Sequence, residues 1–116
     1  MTVYVVQVPH QRGSSGNLEP KFDLSGAKKY GKIVELLSPT ASPFHPAYIL
    51  KELQEKLHFF NDKDYLLLIG NPALIGFSVA VAAEVNNGNI KLLQWRNQGY
   101  TEIVAQDVFG FNEDFK

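Results

Sequence analysis

The junction between an apolar segment and the helix after it is the best candidate for ligand chemistry in this sequence. Gly70 is followed by Asn71, a good N-cap, and by Pro72, which suits the first position of a helix. A helix N-terminus at the carboxyl end of a strand presents free amides that favour phosphate or carboxylate groups. Gly70, Asn71 and Pro72 therefore form a candidate nucleotide- or anion-binding site. The sequence favours a plainer alternative, a tight turn capped by Asn71, because phosphate-loop motifs are absent and Pro72 lacks an amide hydrogen.

A second group combines cations with aromatic rings, which is the chemistry of a surface for single-stranded nucleic acid. Its members are Lys28, Lys29, Trp95, Arg96 and Tyr100. The whole chain carries a net charge of −1, whereas general nucleic-acid binders have a clear basic excess. The sequence favours a hairpin with an amphipathic aromatic edge, and nucleic acid is not an expected partner.

No spacing of nucleophiles, acids or metal ligands indicates an enzyme. The chain has no cysteine, its three histidines lack the HxxxH or HxH spacing of a metal site, and the GxSxG motif is absent. Asp23 is a candidate because its neighbours Phe22 and Leu24 could raise its pKa by burial. Asp62 and Asp64 have the spacing of a metal-binding DxD, but they precede a predicted strand, which favours a turn residue and a strand-entry residue. We expect no catalytic residues, no metal and no cofactor.

The elements that position these residues follow from apolar periodicity and turn signals. Strands are predicted over 2–8, 32–37, 64–70, 90–95 and 100–106, helices over 47–60 and 71–85, and one helical turn over 25–30. The order β-β-α-β-α-β-β predicts an α/β fold, a small mixed sheet of about five strands with two main helices and a Rossmann-like core. Its two βαβ crossovers predict neighbouring parallel strands, with antiparallel strands added at one or both edges. Residues 1–116 form a single domain, in which 9–21 is a mobile loop or hairpin tip and 108–116 a tail that docks or frays.

The second predicted helix lacks a polar face. A helix that is apolar all round is expected to be buried all round, which a single small sheet does not achieve. Gly76, Ala80 and Ala83 form a stripe of small residues beside Phe77. Either the C-terminal tail or a second copy of the chain must then cover the helix. A homodimer through Gly76, Phe77, Ala80 and Ala83 is the favoured interpretation, since two-fold dimers are the commonest oligomers.

The composition indicates one globular domain of intracellular type. The 116 residues are 45% hydrophobic and 20% charged, which allows a core without disulfides. A chain without cysteine fits a reducing compartment, and the N-terminal run lacks the basic region of a signal peptide. The longest apolar stretch, 73–85, is too short for a membrane span. We expect a cytoplasmic protein without a membrane contact.

Four segments carry a resemblance to known proteins: FDLSGAKKYG at 22–31, LLSPTASPF at 36–44, DYLLLIGNPALIG at 64–76 and LLQW at 92–95. Together they resemble small proteins of unknown function from tailed bacteriophages, cyanophages among them. The resemblance implies a phage origin and expression inside a bacterial host, and it assigns no functional residues. The missing catalytic motifs, the apolar second helix and the near-neutral charge lead us to expect a small non-enzymatic binding or regulatory protein that acts by protein–protein contact as a homodimer. The phage origin implies a host or phage protein as a further partner. The anion-binding and nucleic-acid interpretations remain as alternatives.

Overall fold

The fold is α/β, as predicted, and is seen in a computed structural model that describes residues 1–13, 16, 18–20 and 23–110. The strands are β1 (Thr2–Gln7), β2 (His10–Arg12), β3 (Leu18–Pro20), β4 (Lys32–Leu37), β5 (Tyr65–Leu67), β6 (Ile90–Arg96) and β7 (Gly99–Ala105). The helices are α1 (Pro46–Lys56), α2 (Pro72–Val85) and a 3-10 helix at Ser25–Tyr30. A five-stranded main sheet and two main helices confirm the predicted class.

The main sheet has the order β4-β1-β5-β6-β7. The first four strands are parallel, and β7 runs antiparallel to β6 at one edge, which confirms the predicted antiparallel addition. The prediction that both crossovers join neighbouring strands is wrong for the first one, because β1 lies between β4 and β5. The Rossmann-like character of the core remains a prediction.

Right-handed crossovers explain how the helices divide between the two faces of the sheet. The chain moves one way across the sheet from β1 to β4, and the other way from β4 to β5 and β6, so these connections lie on opposite faces. α1 and α2 pack together on one face, where Leu53, Leu66 and Leu74 are buried. The 3-10 helix covers the other face, where Val3 and Leu93 are buried. All three residues of β5 are buried because the strand is covered on both sides.

Two element boundaries differ from the sequence prediction. α1 ends at Lys56 rather than at residue 60, yet Leu57 and Phe60 still pack into the core, which is why the apolar pattern continues beyond the helix. The predicted loop 9–21 contains an antiparallel hairpin of β2 and β3, while residues 14, 15, 17 and 21 lie outside the described part. In the predicted tail, the Val108 amide donates to the Gly88 carbonyl at 2.9 Å, and 111–116 lie outside the described residues.

The prediction that the second helix is buried all round is wrong. α2 buries one side against the sheet and α1, including Leu74, Val81 and Ala82. The opposite flank is exposed, and its residues are Ala73, Gly76, Ala80 and Glu84. This flank is tolerated in water because three of its four residues are Ala or Gly, which expose few apolar atoms.

Gln7 joins three segments at the carboxyl edge of the sheet, where β1 ends. Its side chain is 6% exposed. Its Nε2 donates to the carbonyl groups of Ser38 (3.1 Å), Pro39 (3.3 Å) and Ala41 (3.2 Å), and its Oε1 accepts from the Asn71 amide at 3.0 Å. One amide group therefore fixes the loop after β4 and the junction after β5 relative to β1.

The same contact explains the glycine that precedes Asn71. Gly70 has φ +133°, and a Cβ built on it would lie 2.7 Å from the Gln7 Cβ. Both the backbone conformation and the close approach require glycine at this position.

We expect Gln7→Met, which keeps the volume and removes the amide, to lower the free energy of unfolding by about 2–4 kcal/mol, because the Asn71 amide and the loop carbonyls lose their partner. Chemical denaturation measures the change. Gln54→Met, at an exposed position of α1, is the matched control and should stay within about 0.5 kcal/mol of the parent chain. Equal effects of the two substitutions would contradict the role given to Gln7.

Candidate functional site

A cleft of about 700 Å³ opens at the carboxyl edge of the sheet. It lies beside the boundary between β1 and β5, whose outgoing connections leave toward opposite faces, and such switch points are where open α/β sheets bind ligands. Leu68, Ile69 and Gly70 contribute the wall that follows β5, and Gln94, Trp95 and Tyr100 contribute the wall from β6 and β7. Pro9 and Asp23 complete the rim.

Trp95 and Tyr100 form the aromatic side of this cleft. They face each other across the β6–β7 hairpin, whose two turn residues, Asn97 and Gln98, both have positive φ. The rings meet edge to face, with centroids 5.0 Å apart and an interplanar angle of 76°. Trp95 is 56% exposed and Tyr100 is 7% exposed, so the indole is the accessible member of the pair.

Tyr100 is held in place by contacts from the segment that precedes and forms the 3-10 helix. Its hydroxyl donates to the Asp23 carbonyl at 2.9 Å, and its own carbonyl accepts from the Tyr30 hydroxyl at 3.1 Å. Burial raises the pKa of Tyr100 above its ordinary value of 10.0, and the Asp23 carboxylate adds to this effect. Tyr100 is therefore a neutral, fixed support for the Trp95 ring.

The expectation that Asp23 has a raised pKa is wrong. Its carboxylate is exposed and accepts from the Ser25 amide at 2.9 Å, which lowers the pKa below the ordinary value of 3.8. The Ser25 hydroxyl and, to a smaller extent, the charge of Lys28 act in the same direction. Asp23 thus places a negative charge at the rim of the cleft at neutral pH.

The junction proposed as an anion site uses its amides internally. Asn71 Oδ1 accepts from the amides of Ala73 (2.9 Å) and Leu74 (3.4 Å), and the Asn71 amide donates to Gln7. Pro72 has no amide hydrogen. The capping role of Asn71 is confirmed, and the amides on which the anion-binding prediction depends already have partners. Gly70 remains relevant because it lines the cleft.

The residues proposed for nucleic acid are only partly brought together. Trp95 and Tyr100 are adjacent, but the buried Tyr100 ring leaves no face for a base to stack on. Lys28, Lys29 and Arg96 are exposed, and none of them lines the cleft. The Lys29 ammonium lies 5.2 Å from the centre of the Tyr30 ring. The cations and the accessible indole therefore do not form one continuous surface around this cleft.

The residues proposed for the dimer separate into a surface set and a core residue. Gly76 and Ala80 are exposed and Phe77 is half-buried, so these three share an accessible flank of α2. Ala83 is 2% exposed and packs in the core. The position that joins the flank in its place is Ala73.

Sequence reasoning missed the outer edge of β7. The Leu68 amide donates to the Leu93 carbonyl, so the backbone groups of Leu93 point toward β5. Glu102, which lies opposite Leu93, therefore points its N–H and C=O away from β6, as does Val104 by alternation. Ile103 is 41% and Val104 55% exposed. The available signal was in the sequence: two adjacent apolar residues, one on each face, do not fit a strand covered on a single face.

A carboxyl-detected NMR titration tests the charge assigned to Asp23. We expect a pKa below 3.8 in the parent chain, a rise toward 3.8 in Ser25→Ala, which removes the hydroxyl donor, and a smaller rise in Lys28→Gln. Because the folded-state pKa is depressed, Asp23 stabilises the fold above its unfolded-state pKa and loses this effect as the pH falls through the folded-state value. An Asp23 pKa at or above 3.8 in the parent chain would contradict the assignment.

The comparisons with known proteins bear on family rather than on activity. No curated protein and no solved structure matches the chain. In the described part, no helix is both long enough and apolar enough to cross a membrane. The family model for Phage Pam3 gp32-like protein matches residues 1–106, which confirms the resemblance to phage proteins. Because this match spans most of the sequence, the chain belongs to the family of Phage Pam3 gp32-like proteins.

Proposed function

We propose that this phage-family protein is a small non-enzymatic binding protein that acts inside the bacterial host by protein–protein contact, as a homodimer whose two sheets join along β7. The single observation that carries the proposal is the outer edge of β7. The N–H and C=O groups of Glu102 and Val104 point outward there, and no partner for them is found within the described residues. An exposed, regular and partly apolar edge strand is a template for pairing with another strand.

The opposite edge of the sheet is more protected than β7. β4 presents the exposed charges of Lys32 and Glu35, and the Leu36 carbonyl accepts from the Lys56 ammonium. Charged side chains and covered backbone groups are usual protections of an edge strand, and β7 has the charge of Glu102 and, at its start, the Tyr100 carbonyl covered by the Tyr30 hydroxyl. β7 instead pairs with β6 in seven consecutive positions without a bulge, so its edge stays straight. This asymmetry supports one pairing edge per chain.

A two-fold axis through Ile103 gives the favoured register of the proposed dimer. Ile103 then lies opposite its copy, and Glu102 lies opposite Val104 of the second chain. Ile103 and its copy then form an apolar cross-strand pair of the kind that stabilises antiparallel sheets. A two-fold axis through Glu102 is less favourable, because it places two carboxylates directly opposite each other.

The exposed flank of α2 is the alternative surface for the same function. Gly76 and Ala80, beside the half-buried Phe77, form a stripe of small residues that allows a close approach of another helix. The backbone N–H and C=O groups along this stripe are already hydrogen-bonded within α2, so they offer nothing for a second chain to pair with. We place the contact at β7 for that reason.

Size-exclusion chromatography with light scattering, over a dilution series, tests the proposal. We expect twice the chain mass of 13.0 kDa for the parent protein. Val104→Lys should give monomers, because a lysine on an edge strand opposes pairing. Glu102→Pro should do the same, because it removes only an outward N–H.

Two lysine substitutions act as controls for the dimer surface. Ala47→Lys, on the exposed side of α1, should remain dimeric. Ala80→Lys examines the α2 flank and should also remain dimeric. A monomeric parent protein would overturn the homodimer, and monomers from Ala80→Lys but not from Val104→Lys would move the contact to α2.

A further inference from the structure

The cleft beside Trp95 has the chemistry of a site for a flat ring without phosphate. Its accessible aromatic surface is one indole, 56% exposed, that rests edge to face on a buried tyrosine. Since Tyr100 is fixed by hydrogen bonds at its hydroxyl and at its carbonyl, the indole stands on a rigid support. Stacking on a preorganised aromatic ring loses less conformational entropy than stacking on a mobile one.

The wall facing the indole is apolar and allows close approach. Ile69 is 8% exposed and Leu68 is partly buried, and Gly70 brings bare backbone to the surface of the cleft. Binding sites for small molecules combine such apolar walls with a few polar groups that fix orientation. Here the polar residues of the lining are Gln94 and Asp23.

The charge of the lining restricts the ligand further. Asp23 is the one charged side chain among the described residues that line the cleft, and its carboxylate accepts N–H donors and repels anions. The junction amides that could have held a phosphate are bonded to Asn71 and Gln7. No cationic side chain among the described lining residues offsets the repulsion between a phosphate and Asp23.

We infer that the cleft binds a planar heteroaromatic compound that bears an amino group and no phosphate, of the size of a nucleoside. The ring stacks on Trp95, and the amino group donates to the Asp23 carboxylate. Tyr100 packs on the face of the sheet opposite α2, and the residues proposed for the dimer contact, Glu102, Ile103 and Val104, do not line the cleft. The ligand site and the dimer can therefore fail separately.

Adenosine is the probe, with AMP as its phosphorylated counterpart. Trp95 is the only tryptophan, so saturable quenching of its emission by adenosine, at up to about 1 mM, reports on the cleft directly. In amide-detected NMR, the resonances of Gly70 and Trp95 should shift with the same saturation curve. AMP should bind at least about tenfold more weakly, because its charge meets Asp23.

Matched aromatic variants distinguish binding in the cleft from non-specific association with exposed aromatic rings. Ligand binding to each variant is measured by saturation-transfer NMR. Trp95→Ala should weaken adenosine binding by about tenfold or more, and Trp95→Phe by less, because a ring remains. Phe59→Ala removes an 81% exposed aromatic ring beyond the end of α1, at the opposite edge of the sheet, and should change nothing. Trp95→Phe also covers the case in which Trp95→Ala does not fold.

The inference is overturned by any of three results. The first is the absence of saturable adenosine binding at about 1 mM. The second is an equal loss in Phe59→Ala and Trp95→Ala. The third is tighter binding of AMP, or of a single-stranded oligonucleotide, than of adenosine, which would indicate a phosphate-directed surface instead.

Discussion

The carboxyl edge of the sheet depends on how one buried amide group satisfies its hydrogen bonds. Gln7 ends β1, an interior strand of the sheet, and its burial leaves little room for water to replace a lost partner. The amide therefore has to take its partners from the chain, and it finds them in the loop after β4 and at the start of α2. Gln7 therefore fixes the start of α2, through its hydrogen bond to the Asn71 amide. It also fixes one wall of the cleft, because Gly70 packs against the Gln7 side chain.

Local features of the fold could be read from the sequence, and long-range features could not. The Asn71–Pro72 start of α2 and the hairpin between β6 and β7 are encoded within a few residues, so turn and cap chemistry predicts them. The insertion of β1 between β4 and β5 depends on pairing across the whole chain, which no local pattern contains. The exposure of α2 was misjudged because hydrophobicity counts Ala and Gly as apolar and ignores how little surface they expose.

The same distinction applies to the candidate site. Trp95 and Tyr100 could be placed side by side from the hairpin, but only the structure shows that Tyr100 is buried and Trp95 accessible. Asp23 looked like a buried acid because its sequence neighbours are apolar, whereas its carboxylate turns outward to the Ser25 amide. The cleft is built from segments near residues 9, 23, 70 and 95, so its shape is a property of the tertiary fold and has no sequence motif.

The interior place of β1 in the sheet has a consequence for how the chain folds. Val3 pairs with Ile33 on one side and with Tyr65 on the other, so a ribosome releases this strand long before its second neighbour exists. Until residues 65–67 have been synthesised, β4 is the only partner that β1 can pair with. Pairing between residues this far apart in sequence is of the kind that slows folding.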